Sequence, residues 1–324
     1  MANSYVSEFY SASCTPDGGA YRCRLYEDGQ VEFLQKIPMD RPKFLALQKG
    51  RLYSTLIQPF PDSQQSGVLC VDLEGNPCGP ILSSLGRGIC HIALAGEDVY
   101  TANYGNGSLS KLPDKLVVHA GSGPDPERQE APHVHSVFLS PCEKYILSCD
   151  LGLDRVYVYD RDLEEVSFGC TPGGAGPRHL CFSKCGKYVY CLNEMGGSIT
   201  VFAWDDGNLT PLDTLSILPQ GHVGGGAASA IKLSEDGTTL YASERASNTI
   251  ATLRAEGAKL TLLAITPCGG DHPRDFTLLG NDGYAVSSNT FSDDMTFFRI
   301  GPDRIPVFLS RVSLAQPLCV IEAE

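Results

Sequence analysis

No run of about 18 apolar residues occurs in this 324-residue chain, which leaves it without a segment that could cross a bilayer as a helix. Helical periodicity of 3.6 residues is nowhere sustained, which argues against bundles and helical repeats. Basic runs are missing too. With a net charge of -13, the chain is not expected to bind nucleic acid or an anionic membrane surface, because phosphate recognition needs clustered Lys and Arg. No CxxC pair occurs, and Cys181 with Cys185 has no second pair at zinc spacing, so neither metal nor cofactor is expected. The thirteen cysteines are odd in number, and Cys149, Cys181, Cys191 and Cys319 lie inside apolar runs, as buried reduced thiols would. The opening MANSYVSEFYSASC lacks the basic start and apolar run of an export signal, so the cytoplasm is the expected location. The stretch GHVGGG (221–226) lacks the GK[ST] ending of a phosphate loop and reads as a flexible loop that could serve as a lid.

What is there is a repeat. Short apolar segments with a polar start recur as RPKFLAL (41–47), GICHIAL (88–94), HVHSVFL (133–139), GPRHLCF (176–182), ASAIKL (228–233), HPRDFTL (272–278) and QPLCVIE (316–322). With Leu47, Leu94, Leu139, Phe182, Leu233, Leu278 and Glu322 as equivalents, the spacings are 47, 45, 43, 51, 45 and 44 residues. Such periods mark units that bury their apolar faces only against copies of themselves.

Six of the segments are followed by a Gly/Asp/Asn-type turn such as SPCEK, SKCGK or SEDG and then a second Tyr/Val/Ile-rich strand, the pattern of a β-hairpin. Third strands (RVYVYD, SITVFAW, TIATLRA) and outer strands such as LTPLDTLSI complete units of four. This density describes blades of an all-β propeller. The seventh segment ends the chain after one strand, while SYVSEFYS, YRCRLYED and VEFLQKIP at the amino end read as second, third and fourth strands without a first. The expectation is one domain, residues 1–324, a seven-bladed β-propeller with four antiparallel strands per blade, closed by pairing the amino-terminal strands with the last one. A pair of β-sandwiches is the alternative, and it gives no reason for a half-unit at each end.

First-strand starts and second-strand ends fall at the same end of such a ring, because neighbouring strands run antiparallel. First-strand starts carry His133 and His135, Arg178 with His179, and Arg274 with Asp275. Second-strand ends carry Asn103, Asp150, Glu194, Glu244 with Arg245, and Asn289. Histidine, carboxylate and arginine gathered at one channel mouth suit acid/base chemistry on an anion. Residues two apart on a strand share a side, which would bring His133 and His135 to one face. The other reading makes Arg178, Arg245 and Arg274 inter-blade ion pairs with Glu194 or Asp150. His91, His119, His179, His222 and His272 read as structural or surface residues.

At these residues the chain resembles the lactonase family of seven-bladed propellers, which includes propeller-type 6-phosphogluconolactonases and fungal carboxy-muconate lactonizing enzymes. The likeness rests on ANYGNGS (102–108), HAGSGPDPERQEAPHVHSV (119–137), DLGLDRVYVY (150–159), GPRHLCFSKCGKYVYCLNE (176–194), KLSEDGTTLYASER (232–245) and HPRDF (272–276), and spans roughly residues 41 to 300. The resemblance implies His135, Arg178, Glu194 and Arg245 as catalytic residues, with His133 close by and Asp150 and Arg274 at further family positions around the substrate; Asn103, at a second-strand end, is expected to join them there. Glu244 stands where the family commonly has asparagine, and a carboxylate there is expected to offset part of the pull of Arg245 on an anion.

The expected activity is metal-free hydrolysis of 6-phosphogluconolactone, a small anionic lactone, by a monomer or weak homo-oligomer. His135 or Glu194 would be the base, Arg178 the oxyanion clamp, and Arg245 with Arg274 the holders of the substrate's negative group. A muconate-type lactonizing isomerase and a non-catalytic propeller binding a small anion or a protein are the alternatives.

Overall fold

A computed structural model describes residues 4–323, and its strands form seven sheets of four. All pairings within the sheets are antiparallel, as in blade 3, and among the described residues no helix is long and apolar enough to cross a membrane. Numbered from the first complete hairpin, the innermost strands of blades 1 to 6 are Pro42–Gln48, Ile89–Ala95, Val134–Leu139, Pro177–Phe182, Ala228–Leu233 and Pro273–Leu279. Blade 7 takes its inner strand, Pro317–Glu322, from the end of the chain and its other three, Tyr5–Ser13, Gly19–Tyr26 and Val31–Pro38, from the beginning. Phe9 pairs with Glu322 and Ser13 with Pro317, which joins the two ends in one sheet and covers the edge that Tyr5–Ser13 would otherwise expose.

Seven apolar clusters lie one at each blade-to-blade contact, as the repeat requires. Between blades 3 and 4, for example, Val156 and Val158 pack against Leu180, Val189 and Phe202, all buried. Tyrosines on second strands tie three of these clusters to the next blade: Tyr100, Tyr190 and Tyr241 donate to the backbone oxygens of Arg161, Gly257 and Arg304. The turns between inner and second strands of blades 3, 4 and 5 are held by serine, with Ser140, Ser183 and Ser234 accepting from the amides of Tyr145, Tyr188 and Thr239.

One irregularity recurs and positions the site. Every inner strand carries a β-bulge near its start, where it holds one residue more than its partner. In blade 3 Val134 faces Asp150 and Ser136 faces Cys149, leaving His135 as the extra residue; Arg178 in blade 4 and Arg274 in blade 6 are set the same way. The equivalent residues are Lys43, Cys90, Ser229 and Leu318, each, like the other three, four positions before the repeat marker of its segment. A bulge re-aims the unpaired side chain, and here it does so around one channel.

Candidate active site

A cavity of about 390 Å³ opens at this end of the ring, lined by Lys43, Cys90, Tyr104, Arg128, His135, Glu194, Arg245 and Arg274. Beneath it a void of about 20 Å³ is lined by Lys43, Phe44, Cys90, His135, Arg178, His179, Arg274, Asp275 and Leu318. Six of the seven bulged residues border one space or both; the seventh, Ser229, gives its carbonyl to Arg178.

Glu194 is the centre of charge. Its Oε1 accepts from Arg128 Nη2 at 2.8 Å, and its Oε2 from Arg178 Nε and Arg245 Nη2, both at 3.0 Å. Burial by itself would raise its pKa, but Arg245 and Arg178 outweigh burial and hold the carboxyl well below its usual range. Burial, with Arg245 and Arg274 alongside, brings Arg178 down to about 9, so it stays charged at neutral pH. Arg245 also donates from Nε to the Ala227 carbonyl at 2.7 Å, which fixes its fork against the start of blade 5.

His135 Nε2 stands 4.0 Å from Glu194 Oε2, and its Nδ1 is buried with no hydrogen-bond partner. Burial, reinforced by Arg178, pushes its pKa well below the ordinary histidine value, so the ring is neutral at pH 7. His179 lies 5.5 Å away ring to ring and His91 another 5.2 Å on, forming a short column of imidazoles down the channel. His179 Nε2 accepts from Arg178 Nη1 at 3.3 Å.

Five of the eight residues singled out by sequence therefore meet here: His135, Arg178, Glu194, Arg245 and Arg274. His133, Asp150 and Asn103 do not line the cavity, and two structural causes account for it. The bulge at His135 breaks the two-residue alternation, so His133 turns away, stacks on Tyr104 with ring centroids 4.4 Å apart and meets the Tyr104 carbonyl and Glu130. In blades 2, 4 and 5 the last residue of the second strand faces into its own blade, and the next residue is the one that reaches the cavity. Asn103 accordingly donates to Ser108 Oγ at 3.2 Å and Ser110 Oγ at 2.9 Å, as Asn193 does to Ser198 and Thr200, and Asn289 to Asp294 and Thr296. Asp150 accepts from His119 Nδ1 at 2.5 Å and from the amides of His133 and Gly152. Tyr104, Glu194 and Arg245, each one residue later, are the ones that reach the cavity. Glu244 stays in the inward-facing position and accepts from the amides of Ala227 and Ser247 and from Ser247 Oγ, so Glu194, and not Glu244, is the carboxylate paired with Arg245.

Four side chains that line the cavity, Lys43, Cys90, Tyr104 and Arg128, escape the sequence reading, and two of them are cations. Lys43 holds in blade 1 the place that His135 holds in blade 3, and comparing all seven repeats at that register finds it. Arg128 sits in the irregular loop before blade 3 and carries no repeat signal. His119 anchors that loop at its base, between Asp150 and the Tyr159 hydroxyl at 2.7 Å. Among the described residues no group of three or more His, Cys, Asp or Glu is placed to hold a metal ion.

The model of the lactonase family of seven-bladed β-propellers matches residues 8–321. An uncharacterized protein of Lactococcus lactis is 33% identical over 284 residues, 80% of this chain and 81% of that protein. The 6-phosphogluconolactonase of Bacillus subtilis is 29% identical over 252 residues, 71% of this chain and 72% of that one. Among solved structures, a Lactobacillus plantarum protein superposes with a TM-score of 0.90 at 28% identity, over 99% of this chain and 100% of that chain. The periplasmic gluconolactonase of Pseudomonas aeruginosa does so with a TM-score of 0.89 at 25% identity, over 98% and 99%. With its seven bulged inner strands and a match along nearly its whole length, this chain belongs to the lactonase family of seven-bladed β-propellers.

Proposed function

We propose that the protein is a lactone hydrolase that opens 6-phosphogluconolactone to the free acid, without a metal, in the cytoplasm. The observation that carries this reading is His135: a buried neutral imidazole with an unpartnered Nδ1, set between an arginine-clamped carboxylate and a void of about 20 Å³, which has room for one water. A water held there gives its proton to His135 as its oxygen attacks the lactone carbonyl. Arg245 has Nε and Nη2 engaged by Ala227, Ala228 and Glu194, which leaves Nη1 to meet the developing oxyanion. When the ring C–O bond breaks, the proton on His135 passes to the departing alkoxide. The new carboxylic acid then ionises, releasing one proton to solvent.

Glu194 fits the part of base less well. Three arginines draw on its lone pairs and hold its pKa down, so we assign it to positioning Arg178 and Arg245. The name borne by the B. subtilis relative supports the substrate, and thirteen unpaired cysteines support a reducing compartment. The test is hydrolysis measured against its spontaneous background. His135→Asn is expected to lower kcat by ~10²–10⁴-fold with little change in the thermal midpoint. Full activity in that variant would overturn the assignment of the base, and no acceleration by the wild type would leave the anion-binding reading.

A further inference from the structure

Five cations and two carboxylates border the cavity and its void: Lys43, Arg128, Arg178, Arg245 and Arg274 against Glu194 and Asp275. Glu194 is taken up by Arg128, Arg178 and Arg245. Asp275 is taken up by backbone, accepting from the amides of Phe276 and Val320, both at 2.9 Å. Lys43 and Arg274 remain, and among the described residues neither side chain makes a hydrogen bond or an ion pair.

Their placement is as telling as their lack of partners. Arg274 is the bulged residue of blade 6 and Lys43 that of blade 1, on either side of Leu318 in blade 7. His135 and Arg178, from blades 3 and 4, lie across the channel. Both cations line the cavity and the void beneath it, so both charges front the same space. A desolvated cation without a bonded counter-charge is unfavourable, and burial together with Arg245 lowers the pKa of Arg274, with Glu194 offsetting only part of it from beyond ion-pair distance. What completes such a pair is an anion.

We propose that Lys43 and Arg274 form a subsite for the phosphoryl group of a phosphorylated sugar lactone, whose ring then lies across the channel against His135 and Arg245. The location of the ring rests on the lactone-hydrolase reading above; the anion subsite does not. A lysine ammonium offers three donors and an arginine fork five, enough for the three free oxygens of a phosphate monoester and more than one carboxylate accepts. The carboxyl of a lactone is tied up in its ring, so the substrate's charge must come from a group at its far end. A cavity of about 390 Å³ falls in the range that holds ligands of this size.

Lys43→Met keeps the length of the side chain and removes its charge. Competition by inorganic phosphate, read as displacement in calorimetry and as inhibition of hydrolysis, is expected to weaken by at least ~10-fold in this variant. KM for the phosphorylated lactone should rise by a similar factor, while kcat falls little. The thermal midpoint without ligand should rise, because an unpaired half-buried charge is gone; a purely structural lysine would lower it. Phosphate binding equal in wild type and variant, with hydrolysis intact, would overturn the subsite and spare the hydrolase. Phosphate binding lost in the variant, with no lactone accelerated by the wild type, would establish the subsite and remove the hydrolase reading.

Discussion

Histidine supplies the channel with groups that are polar yet uncharged at neutral pH. Burial, helped by Lys232 and Arg178, lowers His91 to about 3, and it keeps His135 and His179 well below their ordinary value. His272, half-buried at the mouth beside Arg245 and Arg274, is lowered to about 4. In the unfolded chain these rings take up protons as pH falls through 6.5, whereas in the folded protein they stay neutral. Stability is therefore full above pH 6.5 and declines below it, by up to ~1.4 kcal/mol per pH unit for each fully buried ring. Glu194 adds to the decline only below about 4.5, where its unfolded form is protonated while the arginines keep its folded form charged. The thermal midpoint is thus expected to fall between pH 6.5 and 5, before the carboxylates titrate. His91 is the ring to replace, since Phe44 and Phe138 flank it at 4.1 and 4.7 Å and its Nδ1 accepts only a long 3.5 Å bond from the Val137 amide. His91→Phe should flatten the acid slope by about one proton and hold the midpoint at pH 7; an unchanged slope would place the acid sensitivity elsewhere.

At the scale of the element, two devices turn identical hairpins into a site: the bulge that opens each inner strand, and the one-residue step from the inward-facing end of a second strand to the residue facing the channel. Asp150 shows what the inward-facing position does. It holds His119 and the amides of His133 and Gly152, and through them it fixes both ends of the loop that carries Arg128 to Glu194. Asp150→Ala is expected to destabilise the protein by about 3 kcal/mol, read from denaturant midpoints, since it strands a buried histidine and two amides. A loss below about 0.5 kcal/mol would show that the loop is held by other contacts. The hairpins themselves are legible in the sequence, because apolar spacing and Gly/Asp/Asn turns recur at a near-constant period. The bulge is not, because it is a mismatch of hydrogen-bond register between two strands and leaves no trace in composition. That is why strict alternation pairs His133 with His135, and why Asn103 and Asp150 read as site residues beside Glu194 and Arg245. Lys43 was within reach of the repeat register, whereas Arg128, on an irregular loop, has no counterpart in other blades to mark it.

For the whole molecule, the ring is what brings together side chains from Lys43 to Arg274, and it gives a chain of net charge -13 a cationic cavity on its axis. Closure is the condition for both. The inner strand Pro317–Glu322 fills the gap between blades 6 and 1, burying Cys319 and Val320, and Tyr5–Ser13 pairs along it. If closure requires the strand and not the position of the chain ends, the two can be separated by experiment. Deleting residues 317–324 should abolish cooperative unfolding and drive aggregation through the exposed edge of Tyr5–Ser13. A circular permutant that joins residue 324 to residue 1 makes the same two strands an ordinary hairpin, like those of the other six blades. Opened at the turn of Asp206 and Gly207, between the outermost strands of blade 4 and away from the cavity residues, it should fold cooperatively with a midpoint within several degrees of the parent. Its lactone hydrolysis should match the parent's, since no side chain of the site has moved. A permutant as unstable as the deletion would mean that the location of the termini, and not the completed ring of inner strands, holds the propeller shut.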